Sequence, residues 1–231
     1  MKSNLIFLMI PFLAFAKFGI DFGPDSANSF SVSDLQCLRS TGIQFAIIRG
    51  WHSYGAFDQR LLTTLPNALK AGFPSIGVYL FPCRGMDASQ QIQQMMGNLT
   101  QYRGNIDRVW LDIEMNPNQG CGWDAHSFEE NCKYISEMVD AVKALNYEVG
   151  IYASHRGWGI ILGSDAACQN FTEIPLWYPH FDQNPTFDDF VSFGGWTKPN
   201  IKQYIDLTRN TKCGIPVDQD LMPDADVLQF Q

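Results

Sequence analysis

The chain is poor in basic residues, with 16 lysines and arginines against 24 aspartates and glutamates, so its net charge is −8. Because nucleic-acid phosphates attract basic surfaces, this balance argues against a nucleic-acid partner. No apolar run approaches the ~20 residues that a membrane-spanning helix needs, so no membrane anchor is expected. The sequence also lacks the G-x-G-x-x-G and P-loop patterns that are typical of nucleotide binding.

Metal sites and nucleophilic triads also lack their usual patterns here. The six cysteines form no C-x-x-C pair and have no histidine cluster beside them, which argues against a zinc site. The four histidines are scattered, without a serine or cysteine motif nearby, and therefore indicate no triad. We expect neither a cofactor nor a metal.

The first residues have the features of a secretory signal peptide. A positive start is followed by an apolar stretch over residues 5–15 and by an A-x-A ending at Ala16. This pattern predicts a signal peptide over residues 1–16. No repeat, linker or low-complexity tract divides the remainder, so one domain is predicted over residues 17–231. The expected location is outside the cell or in a lysosome- or phagosome-like vesicle, and a monomer is expected.

Six cysteines in a secreted chain indicate up to three disulfides, although their spacing leaves the pairing open. Closeness in sequence favours a bond between Cys121 and Cys132. The N-x-[ST] patterns at Asn98 and Asn170 are candidate N-glycosylation sites.

Short apolar strands alternate with helical patterns along most of the chain. Five predicted strands are each followed by a helical pattern: 18–22, 44–49, 75–81, 109–114 and 148–153. The helical patterns comprise one with a capping box at Ser33, two over 58–71 and 87–102, one with a capping box at Ser127 and a short one at 158–162. Three further strands follow without helices: 174–178, 200–205 and 215–221.

This order predicts the α/β class and a single TIM-like barrel of the (β/α)5(β)3 kind, with eight strands and helices after the first five. Alternation of strands and helices is typical of a parallel sheet, and eight strands suit a closed barrel. A doubly wound open sheet is the competing arrangement.

Two acids stand at the end of the fourth predicted strand, in the run Val-Trp-Leu-Asp-Ile-Glu over 109–114. Successive strand side chains alternate faces, so Trp110, Asp112 and Glu114 share one face. Two carboxyl groups are costly to bury together, and their repulsion raises at least one pKa. A carboxylic acid that keeps its proton near neutral pH is what a glycosidase requires.

Other strand ends carry side chains suited to a sugar site, because active sites of α/β barrels lie at the C-terminal ends of the strands. The first strand ends with Asp21, and the last has Asp218 and Asp220 on one face. Further candidates at the same level are Arg49, Tyr79, Phe81, Tyr152, Trp177 and Tyr204. In the alternative interpretation the rings fill the barrel core and the acids bind backbone amides.

Five motifs follow one another along the chain: Gly19-Ile20-Asp21, Trp110-Leu111-Asp112-Ile113-Glu114, Leu176-Trp177-Tyr178, Gln203-Tyr204 and Val217-Asp218-Gln219-Asp220. In this order they resemble glycoside hydrolase family 25, the muramidase-type lysozymes. The resemblance spans nearly the whole predicted mature domain and is strongest to secreted protist and nematode lysozymes. It implies hydrolysis of the β-1,4 bond between N-acetylmuramic acid and N-acetylglucosamine in bacterial peptidoglycan, in digestion of bacteria or antibacterial defence.

The resemblance also implies roles for the acids. Glu114 would be the general acid, and Asp112 would polarise the reacting centre or assist the substrate's N-acetyl group. Asp21 and Asp218 would complete an acidic ring. A further implication is that Gln203 and Asp220 contact substrate. Family members commonly end with an Asp-x-Asn pattern, and this chain has Asp220 in place of the asparagine.

Two other functions remain compatible with the sequence. The first is a chitinase-like glycosidase, although such barrels usually carry a longer D-x-x-D-x-D-x-E series of which this chain has the final D-x-E. The second is an inactive saccharide-binding barrel, against which the intact pair of Asp112 and Glu114 argues.

Overall fold

The computed structural model describes residues 16–23, 30–208 and 213–223, so the predicted signal peptide lies outside it except for its last residue. Eight strands of this part of the chain form a closed barrel. They are β1 (Lys17–Phe22), β2 (Ile43–His52), β4 (Ser75–Leu80), β5 (Arg108–Asp112), β6 (Val149–Tyr152), β7 (Leu176–Pro179), β8 (Ile201–Thr208) and β9 (Val217–Met222). A two-residue strand that the sequence did not predict, β3 (Ala56–Phe57), pairs with the end of β2.

Strand order around the barrel is β1-β2-β4-β5-β6-β7-β8-β9, and pairing of β1 with both β2 and β9 closes it. The barrel strands from β1 to β8 are parallel to one another, whereas β9 runs antiparallel to both of its neighbours. The short β3 pairs antiparallel with β2. The predicted barrel is confirmed, but the expectation of a parallel sheet is wrong for β9. Only residues 209–216 separate β9 from β8, fewer than the dozen or so that a parallel crossover needs.

Five α-helices follow the first five barrel strands, as predicted. They are α1 (Val32–Ser40), α2 (Leu61–Lys70), α3 (Ala88–Gly97), α4 (Phe128–Ala144) and α5 (His155–Leu162). The pattern predicted over 87–102 ends earlier, and a separate 3-10 segment, Thr100–Asn105, follows it. Within the described ranges, no helix combines the length and apolar character required to cross a membrane.

The two predicted capping boxes have different outcomes. At α4 the box is confirmed, because Ser127 and Glu130 each bind the other's backbone N–H. At α1 the predicted cap at Ser33 is wrong, and Ser31 caps the helix instead. The Asp34 backbone N–H donates to Ser31 Oγ at 3.2 Å, and the Asp34 carboxylate accepts from the Ser31 N–H at 2.9 Å. An aspartate three residues after the cap closes the box as a glutamate would.

The apolar core has two layers, one outside the barrel and one inside it. Val109, Leu111 and Ile113 pack outward against the helices. Inside lies a second cluster of Phe45, Ile47, Trp110, Tyr152, Trp177, Ile201 and Met222. The indole of Trp110 fits because Gly150 faces it, where a Cβ would lie 2.3 Å from the ring. Apolar side chains therefore fill the barrel where the parallel strands begin, and open space remains at the other end.

All six cysteines are paired in three disulfides, Cys37–Cys213, Cys83–Cys121 and Cys132–Cys168. The predicted bond between Cys121 and Cys132 is wrong. Cys83 and Cys121 follow the adjacent strands β4 and β5, so closeness in the barrel rather than in sequence sets the pairing. Disulfides persist in oxidising compartments, and three of them indicate an extracellular or vesicular location.

Candidate active site

A cavity of about 280 Å³ opens at the barrel end where the parallel strands finish. Asp21, Asp112, Glu114 and Asp218 all line it. Four acids from the ends of three strands thus face one hollow, close to the lower limit of the ~300–1,000 Å³ usual for ligand pockets. The remaining lining residues are Tyr79, Tyr152, Trp177, Phe181, Gln203 and Asp206.

The two acids of the D-x-E motif lie at the end of β5 and just beyond it. Asp112 is the last residue of the strand and is buried, and Glu114 follows two residues later on the same face. The Trp123 indole N–H donates to the Glu114 carbonyl oxygen at 2.7 Å. This bond fixes the backbone after β5, so Glu114 is held at the cavity although it lies outside the sheet.

Asp218 reaches the same cavity because β9 is reversed. It pairs with Asp21 in the register of β1 and β9. Asp220 comes two residues later and therefore lies deeper in the barrel, opposite Gly19 and Gln203. It is fully buried and does not line the cavity. The structure therefore places Asp220 beneath the cavity floor, apart from the acids that line it.

Gln203 connects the acids to the aromatic side of the cavity. Its Nε2 donates to Asp21 Oδ2 at 2.7 Å and to Asp218 Oδ2 at 3.2 Å. Its Oε1 accepts from the Tyr152 hydroxyl at 2.7 Å. Each end of the amide has a distinct partner, which fixes its orientation and holds the two carboxyl groups together.

Burial and like charges raise the pKa of the two D-x-E carboxyl groups. For Asp112 the cause is burial first and the neighbouring Glu114 second. For Glu114 it is again burial, with Asp206 and Asp218 adding to the rise and the nearby Tyr152 hydroxyl opposing it. Among the described residues, Oδ1 of Asp112 has no hydrogen-bond donor. A buried acceptor without a donor is costly, so this atom is available for a ligand's N–H or O–H.

A second carboxyl pair lies below the first. Burial, followed by Asp220 and Asp218, raises the pKa of Asp21. Burial, followed by Asp218, raises the pKa of Asp220, which accepts from the Trp177 indole N–H at 2.9 Å. Asp220 raises the pKa of Asp21, whereas the interaction with Asp21 lowers the pKa of Asp220, so Asp21 is the member of the pair that favours the protonated form.

Aromatic rings form one wall of the cavity. Tyr152 and Trp177 meet edge to face with ring centroids 4.5 Å apart, and Tyr79 lies 6.5 Å from Trp177. Phe181 lies at the rim and is half exposed. Aromatic rings and carboxylates that line one cavity suit a sugar, which has both C–H faces and hydroxyl groups.

Sequence reasoning missed Phe181 and Asp206. Phe181 belongs to the loop after β7, where no periodic pattern exists, and its only signal is a large aromatic just past an aromatic strand end. Asp206 lies one residue beyond the predicted end of the seventh strand. The register between β8 and β9 shifts after Gln203, so strict alternation from that residue gives the wrong face for Asp206.

Three other predicted residues do not line the cavity. The Arg49 guanidinium pairs with the buried Asp58, with Nη2 3.1 Å from Oδ2. The Phe81 backbone N–H donates to the Trp51 carbonyl at 3.3 Å, and its ring does not line the cavity. The Tyr204 hydroxyl donates to Gln219 Oε1 at 2.8 Å. The structure therefore does not bring these three residues together with the acids that line the cavity.

A polar cluster holds the loop that carries Phe181. Lys202 is fully buried, and its Nζ lies 2.9 Å from Asp182 Oδ2 and 2.7 Å from Asp189 Oδ1. His180 contacts both aspartates, and these three residues are spaced closely enough to hold a metal ion. The Lys202 ammonium already contacts both carboxylates, so the cluster fits an internal ion pair better than a metal.

Known proteins are similar to this chain over most of its length. The family model for lysozyme-like protein 1 matches residues 16–204. A Dictyostelium discoideum protein named "Probable GH family 25 lysozyme 2" is 36% identical, covering 95% of this chain and 100% of its own length. The chain belongs to the lysozyme-like glycoside hydrolase family 25. Lysozyme-like protein 5 of Caenorhabditis elegans is 32% identical, covering 94% of this chain and 97% of its own length.

The barrel of this family 25 member is also found in a solved structure of the family. The GH25 lysozyme from Aspergillus fumigatus superposes with a TM-score of 0.73 at 19% identity, covering 94% of this chain and 99% of that chain. The family and the fold expected from the sequence are both confirmed, and the chain is classed as a glycoside hydrolase.

Proposed function

We propose that this family 25 protein is a lysozyme that hydrolyses the β-1,4 bond between N-acetylmuramic acid and N-acetylglucosamine in bacterial peptidoglycan. The observation that carries the proposal is the convergence of Asp21, Asp112, Glu114 and Asp218 on one sugar-sized cavity. Glycoside hydrolysis requires a carboxylic acid and a carboxylate beside the same bond, and this cavity contains candidates for both.

Glu114 is the general acid of this proposal. Its raised pKa keeps the proton on the carboxyl group at pH values where an exposed glutamate has lost it. The proton passes to the oxygen that links the two sugars as the C–O bond breaks. A water molecule then bonds to the anomeric carbon of the sugar that remains, and the proton that this water loses returns to the Glu114 carboxylate.

Asp112 acts on the sugar that remains in the cavity. Its Oδ1, without a donor among the described residues, accepts the N–H of a substrate acetamido group. When Asp112 is ionised, its negative charge also stabilises the positive charge that develops on the sugar ring in the transition state.

Asp21, Asp218 and Gln203 keep the cavity acidic and ordered. Because Asp21 favours its protonated form, Asp21 and Asp220 together carry less negative charge, and less negative charge accumulates in the cavity with Asp112. Asp218 supplies a further carboxyl group at the mouth. Gln203 holds both carboxyl groups in place, so little reorganisation is required when positive charge develops.

Secretion completes the proposal. Removal of a signal peptide over residues 1–16 would release a monomeric domain of residues 17–231 into the extracellular space or a vesicle, where bacteria are digested or killed. Asn98 and Asn170 are exposed, as N-glycan acceptors must be.

Glu114→Gln is the direct test, because it keeps the size of the side chain and removes the transferable proton. We expect release of reducing ends from purified peptidoglycan to fall by at least ~10²-fold, the lower range for general acid catalysis. Glu173→Gln, an exposed glutamate away from the cavity, is the matched control. Mass spectrometry of the released muropeptides identifies the bond that is cut.

Three outcomes would contradict the proposal. Near-normal hydrolysis by Glu114→Gln would place the acid elsewhere. Hydrolysis of chitin in preference to peptidoglycan would favour the chitinase-like alternative. Binding of cell walls by the wild-type protein without release of reducing ends would favour the inactive saccharide-binding alternative.

A further inference from the structure

A second cavity, of about 310 Å³, adjoins the first and shares Glu114 with it. It lies between the segment after β5 and the first turns of α5. Its lining consists of Glu114, Met115, Ser154, Arg156, Gly157 and Ile160. Glu114 therefore stands at the boundary of two hollows, which is where an acid must stand to protonate an oxygen between two sugars.

The two cavities differ in charge. The lining of the first contains five carboxyl groups and no basic side chain, whereas the second contains Glu114 and the cation Arg156. The Arg156 side chain is exposed and has no hydrogen-bond or ion-pair partner among the described residues. In a protein with a net charge of −8, an arginine without a carboxylate partner beside the proposed acid is available for an anionic ligand.

This charge difference sets the direction of the bound glycan. The sugar that becomes positively charged in the transition state is stabilised by carboxylates and therefore occupies the first cavity. The leaving half of the glycan must then extend past Glu114 into the second cavity. Met115 and Ile160, both about half exposed, offer that half an apolar surface.

We propose that Arg156 binds a carboxylate on the leaving half of the glycan and so selects strands with acidic substituents. This inference rests on the proposed lysozyme function and names a specificity residue for it. A planar guanidinium pairs with a carboxylate through two parallel hydrogen bonds. In peptidoglycan the carboxylate has two possible sources, the lactyl group of the sugar itself and the peptide attached to it.

Three forms of one glycan separate these sources. The first is peptidoglycan strands that carry their peptides, and the second is the same strands after amidase removal of the peptides, which leaves the lactyl carboxylate. The third is the stripped strands with that carboxylate converted to a neutral amide by carbodiimide coupling. Initial rates of reducing-end release give kcat and KM for each form.

We expect Arg156→Gln to raise KM about fivefold to tenfold on strands with a carboxylate and to leave kcat within about twofold, as loss of one solvent-accessible charged hydrogen bond would. The neutral strands should show no such change. Arg156→Lys should restore part of the effect. Lys70→Gln, which removes one exposed positive charge at the far end of α2, is the matched control. Arg156 is exposed, so circular dichroism should show a folded variant.

The outcomes distinguish this inference from the proposed function. An effect confined to the stripped strands assigns Arg156 to the lactyl carboxylate, because that group is tied up as an amide while the peptide is attached. An effect confined to peptide-bearing strands assigns it to the peptide, and an effect on both means that Arg156 binds either carboxylate. Equal changes on acidic and neutral strands, or no change with Arg156→Gln, would overturn the inference while leaving the lysozyme function intact. A wild-type protein that hydrolyses none of the three would overturn both.

Discussion

At the end where its parallel strands begin, the barrel interior is filled by Phe45, Ile47, Trp110, Ile201 and Met222. At the opposite end it is lined by acids around an open cavity. We call the first group the apolar plug. A single strand serves both ends, because Trp110 and Asp112 are successive inward residues of β5.

The contrast separates what stabilises the barrel from what equips it for chemistry. Burial of apolar surface in the plug favours folding, whereas burial of carboxyl groups above it opposes folding unless they retain protons. The plug also separates the carboxyl groups from the end of the barrel where the parallel strands begin. Stability and reactivity are thus supplied by different layers of the same strands, and each layer should respond to its own substitutions.

The largest expected effect comes from removing the centre of the plug. Trp110→Ala should lower the free energy of unfolding by about 3–5 kcal/mol, the range for truncating a large aromatic in a core. The side chain is buried, and its ring centroid lies 5.6 Å from that of Trp177, so the cavity floor should loosen too. Chemical denaturation measures the change. Phe128→Ala, at an exposed aromatic of α4, should cost less than about 1 kcal/mol. Similar losses in both variants would contradict the role of the plug.

The next effect belongs to the acidic end and depends on pH. Asp21, Asp112, Glu114 and Asp220 have raised pKa values in the folded protein. Between the ordinary carboxyl pKa of about 4 and these higher values, the folded state holds protons that the unfolded chain has released. Stability should therefore decrease as pH rises through this window, by about 1.4 kcal/mol for each unit of pKa difference.

Thermal unfolding at pH 5.0 and pH 7.5 tests the predicted decrease in stability with rising pH. The first value lies about one unit above the ordinary carboxyl pKa, and the second lies well beyond it. The unfolding midpoint should be higher at the lower pH. Asp182 and Asp189 have lowered pKa values and contribute the opposite sign, but they lose their stabilisation only below about pH 4. An unfolding midpoint that is equal or higher at pH 7.5 would show that the cavity acids are ionised in the folded state.

The smallest expected effect comes from a substitution at one buried acid, Asp220. Asp220→Asn removes a like charge from beside Asp21 and should lower the pKa of that residue. The stability difference between pH 5.0 and 7.5 should shrink by about 1 kcal/mol, and the acid limb of the kcat/KM profile should move to lower pH. Asp140→Asn, on the exposed side of α4, should change neither quantity. Unchanged profiles in Asp220→Asn would mean that Asp21 and Asp220 titrate independently.

Local patterns in the sequence predicted the barrel because they determine each β–α unit separately. Alternation along β5 placed Val109, Leu111 and Ile113 outside, and the structure confirms it. The helix stripe after Ser127 likewise predicted α4. In these segments hydrophobic period and capping act within a few residues of one another, so no distant contact is needed to interpret them.

The rest depended on contacts between segments far apart in sequence. No periodicity reveals that β9 is reversed, so Asp218 and Asp220 could not be ranked by depth. Arg49 has the position of a strand-end ligand, but Asp58 pairs with it. The sequence did not predict Asp206 for the same reason. The register shift in β8 that brings Asp206 to the cavity arises from pairing with β9, which is distant in sequence.

The disulfide between Cys37 and Cys213 connects α1 to the segment before β9, where the first and last strands of the chain meet. Asp21 and Asp218 stand opposite each other across that seam. If the bond is reduced, we expect β9 to separate from β1 before the other strands unfold. Asp218 would then move away from Asp21, and the active centre would be lost. A molecule that remained in the reducing cytosol would then lose its activity before it unfolded.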